Sequence, residues 1–117
     1  MSSSQQAAFS QLGQTIVVAA AAIAPLGVQA PVTSNGTKPQ AGQYRVVNSG
    51  TNTVFLGVGS SAALAQSNAV APVAGTPSPA IVLVPGAVEV FSFGDSAFFS
   101  GLASGATTVY ITPGTGV

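Results

Sequence analysis

The stretch Gln43-Tyr44-Arg45-Val46-Val47-Asn48-Ser49-Gly50-Thr51-Asn52-Thr53-Val54-Phe55-Leu56-Gly57-Val58 decides the fold. Tyr44 and Val46 alternate with Gln43, Arg45 and Val47, and Val54, Leu56 and Val58 alternate with Thr53, Phe55 and Gly57. Successive side chains of a strand point to opposite faces, so each half reads as a half-buried strand. Asn48-Ser49-Gly50 supplies the turn. A two-residue loop would put Arg45 opposite Val54 and mix the faces. A three-residue loop puts Tyr44 opposite Val54 and Arg45 opposite Thr53, with Gly50 at the position that needs positive φ. The reading is a hairpin with Tyr44, Val46, Val54 and Leu56 on one buried face. Arg45 then lies diagonally near Phe55 on the other face.

Working outward, the same grammar repeats. Ile16 to Ala24 is an apolar run opened by β-branched residues and stopped by Pro25, and it reads as a strand. Leu26 to Gln40, with Pro31, Pro39 and the Asn35-Gly36 turn signal, reads as a loop with room for a short strand. Ser60 to Asn68 is small and polar, with a short strand expected at Ala62 to Ala65. Val70 to Pro79 carries Pro72, Gly75, Pro77 and Pro79 and reads as an exposed loop. Ala80 to Val84 is continuously apolar, as in a strand buried on both faces. Pro85-Gly86 turns the chain into a strand at Ala87 to Phe93, and Gly94-Asp95-Ser96 turns it back. Strands at Ala97 to Leu102 and Thr107 to Thr112 follow, separated by Ser104-Gly105; in the last, Val109 and Ile111 share one face and Thr108, Tyr110 and Thr112 the other. Helical periodicity is absent after residue 24. The expected fold is all-β: an antiparallel β-sandwich or jelly roll of seven to eight short strands over residues 15–117. Residues 1–14 form an N-terminal arm, polar and rich in Ser and Gln, with a helical turn around Ala7 to Leu12. Its large apolar residues are Phe9 and Leu12, too few to dock it firmly on its own domain.

Composition bounds the function. The chain has 117 residues, one domain's worth, and only 3% are charged: two basic and two acidic residues with no His and no Cys. Zinc sites of the Cys/His type, iron–sulfur clusters, disulfides and Cys or His catalysis lack their side chains. Lys38 and Arg45 are too few for electrostatic nucleic-acid binding. The carboxylates Glu89 and Asp95 stand six residues of strand and turn apart, roughly 20 Å, beyond either glycosidase geometry. They read instead as an edge guard or a partner for Arg45 or Lys38 (Glu89) and as a turn residue (Asp95). Gly57-Val58-Gly59-Ser60-Ser61 resembles part of a phosphate-binding loop but lacks the third glycine, the lysine and an expected helix, and reads as a strand end. No enzyme, no cofactor and no metal are expected.

The 16–24 run is too short to cross a bilayer. Val28-Gln29-Ala30 has the form of a cleavage site, but Met1 to Gln14 carries no Lys or Arg and Pro31 follows the cut, so a buried strand is preferred to a signal peptide. The surface, meanwhile, is nearly free of charge. A monomer of this size exposes roughly 5,700 Å² by the usual scaling, about one charge per 1,400 Å², so much of it is expected to meet protein. Ala87 to Phe93 is apolar on both faces, Phe91 and Phe93 on one and Val88 and Val90 on the other, and Phe98-Phe99 points aromatics both ways. A two-layer domain buries only one face of each sheet, so the other needs a cover: the arm, a loop or another chain. Candidate interface residues are Phe9, Leu12, Arg45, Phe55, Phe91, Phe93, Phe98 and Phe99.

Three segments, Tyr44 to Leu56, Val84-Pro85-Gly86-Ala87-Val88-Glu89-Val90-Phe91 and Val109-Tyr110-Ile111-Thr112-Pro113-Gly114-Thr115-Gly116, resemble small β-rich virion proteins of tailed bacteriophages, especially capsid cement or decoration proteins. The resemblance implies a sandwich or jelly-roll domain that bridges major capsid subunits and reinforces the head. Expected with it are the major capsid protein as partner, a homo-oligomer, a place on the virion and no contact with nucleic acid or membrane. A tail or fibre component of the virion, or a secreted carbohydrate-binding β-sandwich, are the alternatives.

Overall fold

A computed structural model describes residues 8–30, 42–93 and 97–115. Lys38, Asp95, the Asn35-Gly36 pair and the 94–96 turn lie outside the described residues. The strands are β1 (Ser10–Gln11), β2 (Ile16–Ala20), β3 (Val28–Gln29), β4 (Gln43–Asn48), β5 (Val54–Gly59), β6 (Ile81–Leu83), β7 (Val88–Ser92), β8 (Phe98–Ala103) and β9 (Thr107–Thr115). One helix, α1 (Ala62–Asn68), lies between β5 and β6.

Two antiparallel sheets face each other. Sheet A has the order β1-β9-β4-β7, with β2 beside β1 on the same edge of β9; sheet B has the order β3-β8-β5-β6. The pairs β2–β9, β3–β8, β4–β7 and β5–β6 nest inside one another like one long hairpin. Folding that hairpin over adds the pairs β4–β9 and β5–β8. This nesting is a jelly roll.

Both sheets contribute to one core. Val18, Tyr44, Val46, Val109 and Ile111 come from sheet A, and Val54, Leu56, Leu83 and Phe99 from sheet B. Tyr44 and Phe99 meet edge to face with ring centroids 5.2 Å apart, and Phe93 lies 5.9 Å from Tyr44 and 5.8 Å from Phe99. Such tilted pairs add to what their buried area contributes.

The central hairpin is corrected. β4 and β5 do not pair: β4 lies in sheet A and β5 in sheet B. Tyr44, Val46, Val54 and Leu56 are all buried as expected, but they face one another across the core. Burial alternates identically in a hairpin and in an arch that crosses between sheets, so alternation alone cannot choose. The arch is fixed by Asn48, fully buried. Its side-chain nitrogen lies 3.0 Å from the Asn52 and Leu83 carbonyls and 3.2 Å from that of Val84, while its side-chain oxygen accepts from the Gly50 N–H at 3.0 Å. Gly50 does not have positive φ; those glycines are Gly75 and Gly86 among the described residues. It is needed for space, since a Cβ there would run into the Thr107 side chain. Arg45 and Phe55 consequently sit on opposite outer faces of the sandwich.

Other expectations shift as well. Ala62 to Ala65 is helical, with Ser61 as N-cap accepting from the Leu64 N–H at 3.1 Å. The run at Ala80 to Val84 is not buried on both faces. β6 is an edge strand whose Leu83 points inward while Val82 and Val84 are exposed. Residues 8–14 are not an undocked tail, and no helical turn forms at 8–12. Ser10 and Gln11 pair with Thr115 and Gly114, and the Leu12 N–H donates to the Pro113 carbonyl at 3.0 Å. A Cβ at Gly114 would meet the Phe9 ring, so the missing side chain is what seats Phe9. The Pro85-Gly86 turn forms as read: Gly86 has φ +81 and the Ala87 N–H donates to the Val84 carbonyl at 3.0 Å. The loop around Gly75 is exposed, also as read.

Candidate interaction face

The outer face of each sheet presents apolar side chains, and the two are handled differently. On sheet B, Phe55 pairs with Val82 of β6 and Leu102 of β8, all on the outer side. Further along β5 the outward positions are Gly57 and Gly59, and α1 lies directly on them. A Cβ at Gly57 would strike the Ala65 carbonyl and the Ala69 N–H, and one at Gly59 would strike the Ala65 nitrogen and the Leu64 side chain. The Gly-x-Gly spacing is therefore a platform for a helix. Ser100, opposite Gly57, is buried there and donates to the Pro25 carbonyl at 2.5 Å. Asn68 donates to the Val58 carbonyl at 2.8 Å, and Gln66 to that of Ala24 at 2.8 Å, pinning the helix at both flanks.

Sheet A has no such cover among the described residues. Register carries one line straight across four strands: Val17 of β2 opposite Tyr110 of β9, Tyr110 opposite Val47 of β4, and Val47 opposite Val88 of β7. Val17 is 51% exposed, Tyr110 41% and Val88 50%, with Val47 half-buried between them. The neighbouring line holds Thr112, Arg45 and Val90. This aligned, exposed apolar line is the candidate interaction face. Among the described residues Arg45 is the one charge on it, since Glu89 pairs with Val46 and thus lies on the opposite face of the sheet; Glu89 does not partner Arg45.

The eight interface candidates scatter. Phe99 belongs to the core, fully buried, and is corrected on that ground: no partner can reach it. Phe91 and Phe93 are half-buried, pack against the core and stack on each other at 5.8 Å. Phe9 is seated on Gly114, and Leu12 is exposed at the β1 end of sheet A. Phe55 and Phe98 are half-buried on the outer side of sheet B, and Arg45 flanks the Val17–Val88 line. That selection, weighted to aromatics, does not include Val17, Val47, Val88 and Tyr110. The signal was present as Val and Tyr at the non-core positions of four strands, and only the pairing register aligns them. No family model matches the chain, and comparison with curated proteins and with solved structures finds no match.

Proposed function

We propose that this chain is a structural virion protein that binds and stabilises a phage capsid as a cement or decoration protein, through subunit-bridging contacts with the major capsid protein. The observation that carries the reading is the bare apolar line Val17–Tyr110–Val47–Val88 on a surface almost without charge. The jelly roll recurs in viral capsid proteins and in lectins, which supports the reading by analogy alone, alongside the sequence resemblance noted above. The mechanism is contact area rather than chemistry. Each copy lays sheet A on a capsid surface, and lattice repetition multiplies a modest affinity. Arg45 is the only charge on the face among the described residues and the whole chain carries four, so attachment is nearly independent of salt.

The test is co-sedimentation with assembled phage heads, at low and high salt. Wild type is expected to bind at both, and Val88→Asp to lose binding while keeping its fold. Failure of wild type to bind heads overturns the reading. Binding to a polysaccharide in place of heads, lost with Tyr110→Ala, moves the chain to the lectin class.

A further inference from the structure

The edges of the two sheets differ in how they are protected. An unpaired strand edge invites another strand, and proteins blunt edges with short strands, prolines or inward-pointing charges. β6 has three residues between Pro79 and Pro85, and β1 and β3 have two residues each. β7 is longer, but Glu89 is a charge on its core-side face. β2 is the exception: Ile16-Val17-Val18-Ala19-Ala20 has neither charge nor proline.

The backbone groups of β2 left free among the described residues can be assigned. The Pro113 carbonyl accepts from Leu12, so Pro113 faces the β1/β2 side, whereas the Thr108 carbonyl accepts from the Ser49 N–H at 3.1 Å and faces β4. Alternate residues of a strand point their N–H and C=O the same way. Thr107, Val109 and Ile111 therefore bond to Ala20, Val18 and Ile16, while Val17 and Ala19, opposite Tyr110 and Thr108, turn theirs away from β9. Ala21, next in that alternation, uses its groups on β8, with Ala21 N–H to the Gly101 carbonyl at 3.4 Å and Ala103 N–H to the Ala21 carbonyl at 3.0 Å.

We propose that β2 is the dimerisation edge of this protein, pairing antiparallel with β2 of a second copy about a two-fold axis at Val17. This register uses the outward groups of Thr15, Val17 and Ala19, places Thr15 opposite Ala19 of the partner copy, and leaves Ala21 on β8. It brings no like charges together. It sets the two Val17 side chains opposite each other on the outer face, so the line from Val88 to Val17 runs on into its two-fold copy and becomes one unbroken stripe over two sheets. A β-branched pair directly opposite is a favourable cross-strand contact. The contact is smaller than a standard interface, so the dimer is concentration-dependent. The inference is independent of the capsid reading.

The chain has no cysteine, so a single introduced one reports cleanly. In the proposed register the Val17 Cα atoms lie about 5.5 Å apart, inside the range a disulfide spans. Oxidised Val17→Cys is expected to give a covalent dimer, and Val88→Cys, at the far edge, none. Sedimentation equilibrium is expected to show wild type passing from monomer to dimer with concentration. Ala19→Pro, which removes an outward N–H and no ladder bond, is expected to stay monomeric with an unchanged circular dichroism spectrum. A wild type that remains monomeric at all concentrations overturns the proposal. So does a dimer that Ala19→Pro leaves intact, or one that cross-links through position 88 and not 17.

Discussion

Sheet B and sheet A meet the same problem, an apolar outer face, with opposite answers. On sheet B the chain covers its own surface: Gly57 and Gly59 clear the ground, α1 settles on it, and Ser100 is sealed beneath. On sheet A nothing among the described residues covers the Val17–Tyr110–Val47–Val88 line. Among the described residues, one outer face is covered by the chain itself and the other is not. The contrast also separates two uses of small residues. Glycine at the outward positions of β5 makes room for an internal contact, and valine at the outward positions of sheet A leaves apolar surface exposed.

Four substitutions test that contrast, in order of expected loss of stability. Gly57→Val forces a side chain into the backbone of α1 and should cost about 3 kcal/mol, the upper range for overpacking. Thermal unfolding should show the fall, and a hydrophobic dye should report a newly exposed face on sheet B. Asn48→Ala attacks the seam that joins the sheets and alters neither outer face. It leaves buried carbonyls without a donor, at a cost of about 2 kcal/mol, with no change in dye binding before the melt. Ser100→Ala removes the donor beneath the cover and strands the Pro25 carbonyl. About 1 kcal/mol is expected from a denaturant midpoint at constant slope. Tyr110→Asp, on the bare face, should cost no more than about 0.5 kcal/mol, as exposed positions do, yet abolish attachment to heads. A large loss of stability in Tyr110→Asp would mean that the face is part of the domain's own packing, and the comparison would fail.

Much of the strand content was legible because alternation reports burial directly. Tyr44/Val46, Val54/Leu56 and Val109/Ile111 all point inward, and Pro85-Gly86 turns as its residues require. Pairing was not legible at the decisive stretch, because an arch and a hairpin bury the same alternate residues, and the choice rests on a buried Asn48 whose acceptors lie as far off as Leu83 and Val84. The helix was signalled only by its cap, Ser61, and by the helix-forming residues Ala62 to Gln66. At seven residues it is too short to show a period, and its docking depends on glycines in another element. The candidate face was hidden for the same reason as the pairing. Its four residues come from four strands, and no local pattern relates Val17 to Val88.

The nested topology also dictates when this molecule can exist. β9 is an interior strand of sheet A, seated between β2 and β4, and it is the last strand of the described chain to leave the ribosome. The hydroxyls of Thr15 and Thr112 meet at 2.7 Å although 97 positions separate them. Until Thr107 and its successors emerge, β2 waits without a ladder and β4 holds β7 with its other edge open. Such unpaired edges recruit strands from other chains, and pairings this distant in sequence close slowly. A nascent chain interrupted before β9 therefore holds only the β4–β7 pair of sheet A and lacks the strand that joins it to β2. Translation must run through β9 before sheet A is complete and its outer face carries the Val17–Tyr110–Val47–Val88 line.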